Sequence, residues 1–478
     1  YKILHMLKFK SYIIYTLAII VVLILSITIK NVKKNIDNKS EQISFLKKNL
    51  KNKKNQLKNI HTKLLSRNIN IENIIFEKGI SFKNKKKQTF KLDNLDYDLI
   101  EFSSDDLIFA KHPEASSSAY IDFYDNNIFL ATATGQITYS KIKNLHNDNF
   151  KVVSIKSNIQ ELIKYSEFYN SSAFGIKDIL IRNKKIYVSY IKEHYKDCFS
   201  TSILVGELNY SFIRFKDFYS SKNCIEKNSE FYSSHPKDKL TAHQSGGRMI
   251  MIDNNLFFST GEYRFRTLAQ EIDNDFGKII SINLENNSKK IISKGHRNPQ
   301  GLYYSNDLNI LFSTEHGPSG GDEINLLDLN TNVDRVANYG WPLASYGRHY
   351  FDNNDDNDKR YELSPLKKSH SKNGFIEPLK YFDPSVGISQ IIGIPNKFFK
   401  SDNNKFLVGT MGNAKKFNKG MISLFFFELD NIKKKIIKSE FIPIKSRVRD
   451  MIYVKNENIV LLYLENSNAI AVLKARKN

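Results

Sequence analysis

The chain has 478 residues, enough for one large domain or two to three ordinary ones. With 41% hydrophobic and 12% aromatic residues it is globular, which excludes a disordered protein. The formal net charge of +22 would suit a polyanion, but the lysines spread over the whole chain and no nucleic-acid recognition motif accompanies them, so nucleic acid is set aside as a partner.

The first element is an apolar run, Tyr12–Ile29, which reads YIIYTLAIIVVLILSITI. Its eighteen uncharged residues are just long enough to cross a bilayer core as a helix. A cleaved signal peptide would have a shorter apolar core and a small-residue cleavage pattern, so residues 1–31 are predicted to be a signal anchor, a single transmembrane helix. Lys8 and Lys10 precede the run and Lys30, Lys33 and Lys34 follow it, which leaves its orientation open. Residues 32–70 are polar but periodic. Ile36, Ile43, Leu50, Leu57 and Leu64 recur every seven residues, with Leu46 and Ile60 at the three-residue offset and Lys53 as a flaw in the seam. That pattern predicts a helical, coiled-coil-like stalk able to self-associate; a lone lysine-rich spacer helix is the alternative. Residues 71–90 read as a linker.

From residue 91 to 478 the texture changes to short β-rich runs broken by Asn/Asp/Gly turns, such as AYIDFYDNNIFLATATGQITYSK, KDILIRNKKIYVSYIK and RMIMIDNNLFFSTGEY. Many share one layout of strand, tight Asn/Asp turn and second strand. Irregular recurrence over this length, without helices between, predicts an all-β repeat architecture. A β-propeller fits best, because radial repetition leaves only short, protected sheet edges. Cys198 and Cys224 would form one bridge in an oxidising compartment and stay two thiols otherwise.

Three clusters within this region can do chemistry. In LTAHQSGGRMIMIDNNLFFSTGEY, His243 stands just ahead of a Gly pair and a strand, where an imidazole can serve as a base, and Glu262 ends the second strand of the same hairpin. In GHRNPQGL, Pro299 and Gly301 keep the backbone out of regular pairing, so Arg297 and Asn298 can face a developing oxyanion together. The following EHGPSGGDEIN offers the Gly317 and Pro318 carbonyls to a hard cation such as calcium. In KSRVRDMIY, Arg447 and Arg449 are two apart at a strand start and share a face suited to a polycarboxylate. Each taken alone has a plainer reading as a loop brace, a turn or a solvated basic edge.

Taken together, GHRNPQGL, EHGPSGGDEIN and NYGWP resemble the signature of the soluble pyrroloquinoline quinone (PQQ)-dependent sugar dehydrogenases, the glucose/sorbosone dehydrogenase family. HQSGGR, LAQEIDNDFGKIISINL, YFDPSVGIS and SRVRD match further family segments in the same order, over roughly residues 90–475. The resemblance implies a six-bladed β-propeller with a PQQ cofactor and calcium in a cleft on one face. It implies that His243 removes the substrate hydroxyl proton, with Glu262 orienting it, and that Arg297 and Asn298 meet the quinone oxygens. Gly317 and Pro318 would ligate the calcium, Arg447 and Arg449 would hold the cofactor carboxylates, and Phe382 would stack on the ring. Glu323 and the Tyr339 carbonyl would belong to a second, structural calcium site.

There are departures. Relatives place a cofactor-gripping lysine where this chain has Gly412, so Lys415 is taken as its replacement, with Lys416 and Lys419 close behind. Ala242 stands where glucose-oxidising members have an acid, which argues against glucose. His349 stands where a further structural calcium ligand is expected. The expected protein is a sugar or alcohol dehydrogenase, anchored in a bacterial inner membrane, facing the periplasm and passing electrons to a quinone or cytochrome. The competing expectations are an inactive propeller that binds carbohydrate or a partner protein, and a hydrolase on the same scaffold.

Overall fold

The computed structural model describes residues 25, 26, 28, 30, 33, 37, 39, 41–44, 46–47, 49–50, 52–53, 79–92, 95–105, 118–229, 240–329, 336–349, 362–399, 403–412 and 420–476. The chain divides into two compact units, Tyr1–Ile75 and Phe76–Asn478. In the first unit, residues 41–44, 46–47, 49–50 and 52–53 are helical, and the seam residues Ile43, Leu46 and Leu50 are exposed. Ile36, Leu57, Ile60 and Leu64 lie outside the described residues, as does Tyr12–Ile29 apart from Leu25, Ser26 and Thr28. Among the described residues no helix is long and apolar enough to cross a membrane. A strand already starts at Ile80, so the expected linker 71–90 is in its second half part of the β unit.

The β unit is propeller-like. Its inner strands are Ala119–Tyr124, Ile176–Arg182, Gly246–Ile252, Pro299–Ser305, Ile388–Ile394 and Val448–Val454. Each packs against the next, and the last against the first, so they form a closed circuit that defines blades one to six. Each inner strand continues outward into an antiparallel sheet; in blade five the order is Ile388–Ile394, Asn404–Thr410, Ser423–Leu429 and Ile436–Pro443. Blade six takes its outer strand, Leu95–Ser103, from the other end of the β unit, against Ala469–Ala475. Ile80–Leu92 pairs with that strand and with Asn149–Ser157 of blade one, joining the two blades into one sheet. Short helical turns, such as Ile159–Leu162 and Ser166–Asn170, interrupt the otherwise all-β order.

The apolar runs that marked the strands follow from this layering. Each sheet is covered on both faces, so a strand such as Ile459–Leu464 is buried along its whole length. Its alternate residues serve different neighbours: Val460, Leu462 and Leu464 pack toward blade five, Leu461 and Tyr463 toward blade one. The Asn/Asp turns have the expected backbone. Asp125 and Asn126 have φ of 48° and 59°, and Asn183 and Lys184 have 52° and 61°, the positive pair that a two-residue hairpin turn requires.

Cys198 and Cys224 are bridged, tying the third strand of blade two to the segment before Ile225–Glu226 across 26 residues of sequence. Closing a loop of that length restricts the unfolded chain, so replacing both cysteines by serine is expected to lower stability by about 3 kcal/mol. Thermal unfolding of that variant should match the parent under reductant, and a parent curve unchanged by reductant would contradict the contribution.

Candidate functional site

Five of the six inner strands carry a register shift within their first three or four residues: between Ile176 and Asp178, Gly246 and Met249, Pro299 and Gly301, Ile388 and Ile391, and Val448 and Asp450. A bulge re-aims the side chain it carries. Here the bulged positions include Lys177, Arg248, Gln300 and Arg449, so polar groups from four blades converge at one end of the central axis.

Arg248 is the hub. Its Nη1 donates to Asp178 Oδ1 at 3.0 Å and Asp450 Oδ1 at 2.7 Å, its Nε to the Gln300 carbonyl at 2.8 Å and its Nη2 to the Arg449 carbonyl at 2.8 Å. The carboxylates in turn accept backbone amides of the next blade: Met249 N–H on Asp178 and Ile121 N–H on Asp450, each at 2.8 Å, and Ile181 N–H on Asp122 at 2.6 Å. Burial is the largest influence on Asp178 and lifts its carboxyl to about 7 against the pull of Arg248. Of this network only Arg449 was singled out from the sequence; Arg248 and the three aspartates were not. A usable signal exists: an Asp sits near the start of three inner strands, in YIDF, IKDI and VRDM.

Arg447 and Arg449 do share a face, and what joins them is a carboxylate. Glu465, fully buried, accepts from Arg447 Nε at 2.9 Å and Arg449 Nε at 2.5 Å. Two guanidiniums held side by side by one carboxylate suit an anionic ligand. Burial disfavours the Arg449 cation, but Glu465 outweighs it and holds the group above its ordinary value.

The other clusters connect to this pair by hydrogen bonds from one residue to the next. Arg449 Nη1 donates to Gln300 Oε1 at 3.0 Å, and Gln300 Nε2 to Asn298 Oδ1 at 2.9 Å. Asn298 Nδ2 donates to the His243 carbonyl at 3.2 Å, and its Oδ1 accepts the Gly246 amide at 3.1 Å. Asn298 therefore ties the turn that presents His243 to the Gly246 backbone after it; this is a 3-10 turn over Ala242–Gln244 in which Ala242 and Gln244 are buried and His243 is exposed. Gly246 and Gly247 follow with φ of 63° and 115°, conformations that favour glycine. Arg297 Nη1 donates to the Gly317 carbonyl at 2.7 Å and the His316 carbonyl at 3.0 Å. In the amide orientation that satisfies its neighbours, Gln244 donates to Glu262 Oε1 at 2.6 Å and accepts from Arg297 Nη2 at 2.9 Å. Glu262, expected to orient His243, is joined through Gln244 to Arg297 as well.

Gly317 and Pro318 are buried in the loop between two strands of blade four. Asp322 pins that loop: its Oδ1 accepts the Gly317 amide at 3.1 Å, and its Oδ2 accepts the amides of Val386, Gly387 and Ile388. Arg297, Arg447 and Arg449 all act on His316, whose imidazole burial and these charges push down to about 4 although Asp322 opposes them.

One expectation is corrected and one lies outside the described residues. Phe382 is buried among apolar side chains of blades four and five, edge-on to Phe425 at 5.0 Å, because strand alternation turns it away from Tyr381, which is 42% exposed. Its ring is therefore core and not a stacking platform. Glu323 lies 3.2 Å from His370 and accepts from Asn325 at 3.3 Å, so a buried imidazole already supplies its partner. Tyr339 stacks on His296 at 4.8 Å and donates to the Leu326 carbonyl at 2.6 Å. His349 meets Arg266 Nη1 at 3.0 Å. Among the described residues no group of three or more His, Cys, Asp and Glu side chains could hold a metal, and the second calcium set, which includes the Tyr339 carbonyl, stays an expectation. Lys415, Lys416 and Lys419 lie outside the described residues.

Residues 125–472 match the Glucose / Sorbosone dehydrogenase family, and the chain belongs to that family. It is 26% identical over 256 residues to the aldose sugar dehydrogenase YliI of Escherichia coli (strain K12), covering 50% of this chain and 62% of that protein. It is 30% identical over 169 residues to quinoprotein glucose dehydrogenase B of Acinetobacter calcoaceticus, covering 29% of this chain and 34% of that protein. The matches thus span less than two thirds of these relatives. Among solved structures, a glucose dehydrogenase superposes with a TM-score of 0.56 at 20% identity, covering 75% of this chain and 96% of that one. The soluble aldose sugar dehydrogenase of Escherichia coli in its apo form gives 0.55 at 19%, covering 76% and 97%. These likenesses show the fold.

Proposed function

We propose that the chain is a dehydrogenase of aldoses or related alcohols that uses PQQ and calcium. One observation carries this reading: Arg297, the Gly317 carbonyl, the Arg447–Arg449 pair and the His243 turn, far apart in sequence, meet in one hydrogen-bonded cluster. The donor set fits the group. Two guanidiniums sharing one carboxylate suit a polycarboxylate ring, and the neighbouring Gly317 and Pro318 carbonyls are hard oxygen donors suited to calcium.

PQQ bound there would supply a two-electron acceptor, with calcium polarising it. Arg447 and Arg449 would hold its carboxylates, and Arg297 and Asn298 would present N–H groups to its oxygens. His243, the exposed side chain of the turn, would take the substrate hydroxyl proton as general base. Glu262 and Gln244 would fix Arg297 relative to that turn. Ala242 favours a substrate other than glucose. The bridged Cys198–Cys224 pair supports a periplasmic location, with the apolar run Tyr12–Ile29 as the membrane anchor and a quinone or cytochrome as the onward electron acceptor.

The test is direct. The purified chain is supplied with calcium and PQQ, and dye reduction is measured over a panel of aldoses and alcohols. Quinone-dependent reduction with some of them is expected. Quinone binding at micromolar concentration without turnover of any substrate would favour an inactive propeller that binds carbohydrate or a protein; no quinone binding would remove the cofactor assignment.

A further inference from the structure

Lys177 is one of the bulged residues at the end of the axis, and its hydrogen bonds go to Ser172 and Ala173. It occupies the bulge between Ile176 and Asp178 and is 8% exposed. Its Nζ donates to the carbonyls of Ala173 at 2.7 Å and Ser172 at 3.1 Å. Gly247, just after the His243 turn, makes room for its stem: a Cβ there would lie 2.3 Å from Lys177 Cβ.

A second buried lysine shows what full satisfaction looks like. Lys278 Nζ donates to three carbonyls, those of Leu268, Ala269 and Phe276, at 2.8, 3.3 and 2.5 Å. An ammonium has three N–H groups. Lys278 uses all of them within the protein, whereas among the described residues the third N–H of Lys177 has no acceptor. The charges that act on Lys177 are Arg449, which repels it, and Glu465, which attracts it but is already shared by two arginines. Asp178, next to it on its strand, is committed to Arg248. A buried cation that Arg449 repels, with a donor to spare among the described residues, is suited to an anion.

We propose that Lys177 is an anion-binding residue of the cleft, supplying the ammonium that grips a carboxylate of the bound quinone together with Arg447 and Arg449. The assignment rests on the dehydrogenase reading above, since that reading supplies the polycarboxylate. It gives the cleft a lysine from blade two, independently of the segment that holds Lys415.

The consequence is a proton linked to binding. Burial, and then Arg449, push Lys177 down to about 7. Below that pH the ammonium is already present, and above it the side chain is mostly neutral. An anion held by Lys177 favours the charged form, so binding raises its pKa and takes up a proton above pH 7. Quinone affinity should therefore fall by up to about tenfold per pH unit above neutrality.

Calorimetry of PQQ binding to the full chain with calcium, at pH 8 in two buffers of different ionisation enthalpy, reads this directly. The wild type is expected to take up a substantial fraction of one proton. Lys177→Met should lose that uptake and bind at least tenfold more weakly at pH 6.5. Lys177→Arg, which keeps a permanent cation, should bind without uptake, and it decides the matter if the methionine variant does not fold. Unchanged affinity and proton uptake in the variants would overturn the role of Lys177 and leave the dehydrogenase reading standing. Absence of quinone binding by the wild type would remove both.

Discussion

Replacing Glu465 by leucine is expected to be among the most damaging single changes in the β unit. The carboxylate is fully buried and accepts from the Nε atoms of both Arg447 and Arg449, with Ser118 Oγ as a third donor at 2.9 Å. Removing one member of a buried ionic group leaves the rest charged and uncompensated, at a cost of about 3–5 kcal/mol. Thermal unfolding should then shift down by roughly 5–15 °C. A polycarboxylate ligand offers the stranded guanidiniums a new partner, so calcium and PQQ should raise the unfolding temperature of Glu465→Leu more than that of the parent. A variant with the parent's unfolding temperature would contradict the shared-carboxylate arrangement. An equal ligand-induced shift in both proteins would contradict the arginine pair as the ligand's anchor.

The second large effect falls on turnover and spares the fold. His243 projects from a turn held through its backbone: its carbonyl accepts from Asn298, while Ala242 and Gln244 on either side are the buried anchors. His243→Gln therefore leaves the contacts that shape the turn in place, and stability should stay within about 0.5 kcal/mol, as for other exposed positions. If the imidazole is the general base, turnover per bound quinone falls by roughly 10²-fold or more, with quinone affinity unchanged. Weakened quinone binding with undiminished turnover would make His243 a ligand contact and not the base. Comparison with Asn298→Ala separates the two levels, because that change frees the turn while keeping the imidazole.

How much of this was legible from the residues differs by length scale. Strand–turn–strand units could be read because their causes are local: apolar runs buried on both faces, and Asn/Asp turns that accept positive φ, as at Asp125 and Asn126. The motif loops around His243, Arg297, Gly317 and Arg447 could be read because Gly and Pro mark where backbone leaves the sheet and functional side chains can gather. Alternation along Lys380–Phe382 could have warned that Phe382 and its exposed neighbour Tyr381 serve opposite faces, but which face meets the core depends on blade five.

The rest belongs to tertiary structure. Arg248 meets Asp450 across 202 positions of sequence, and Glu465 acquires its two arginines only when a bulge turns Arg449 inward. Lys177 looks like any other lysine of a basic chain until burial removes its water and leaves one N–H without an acceptor among the described residues. Short-range sterics and hydrophobic periodicity are written residue by residue, so the blades and their turns were determined by the sequence alone. Charge pairing acts through space in a low-dielectric interior, and only closure of the ring decided which charged groups meet.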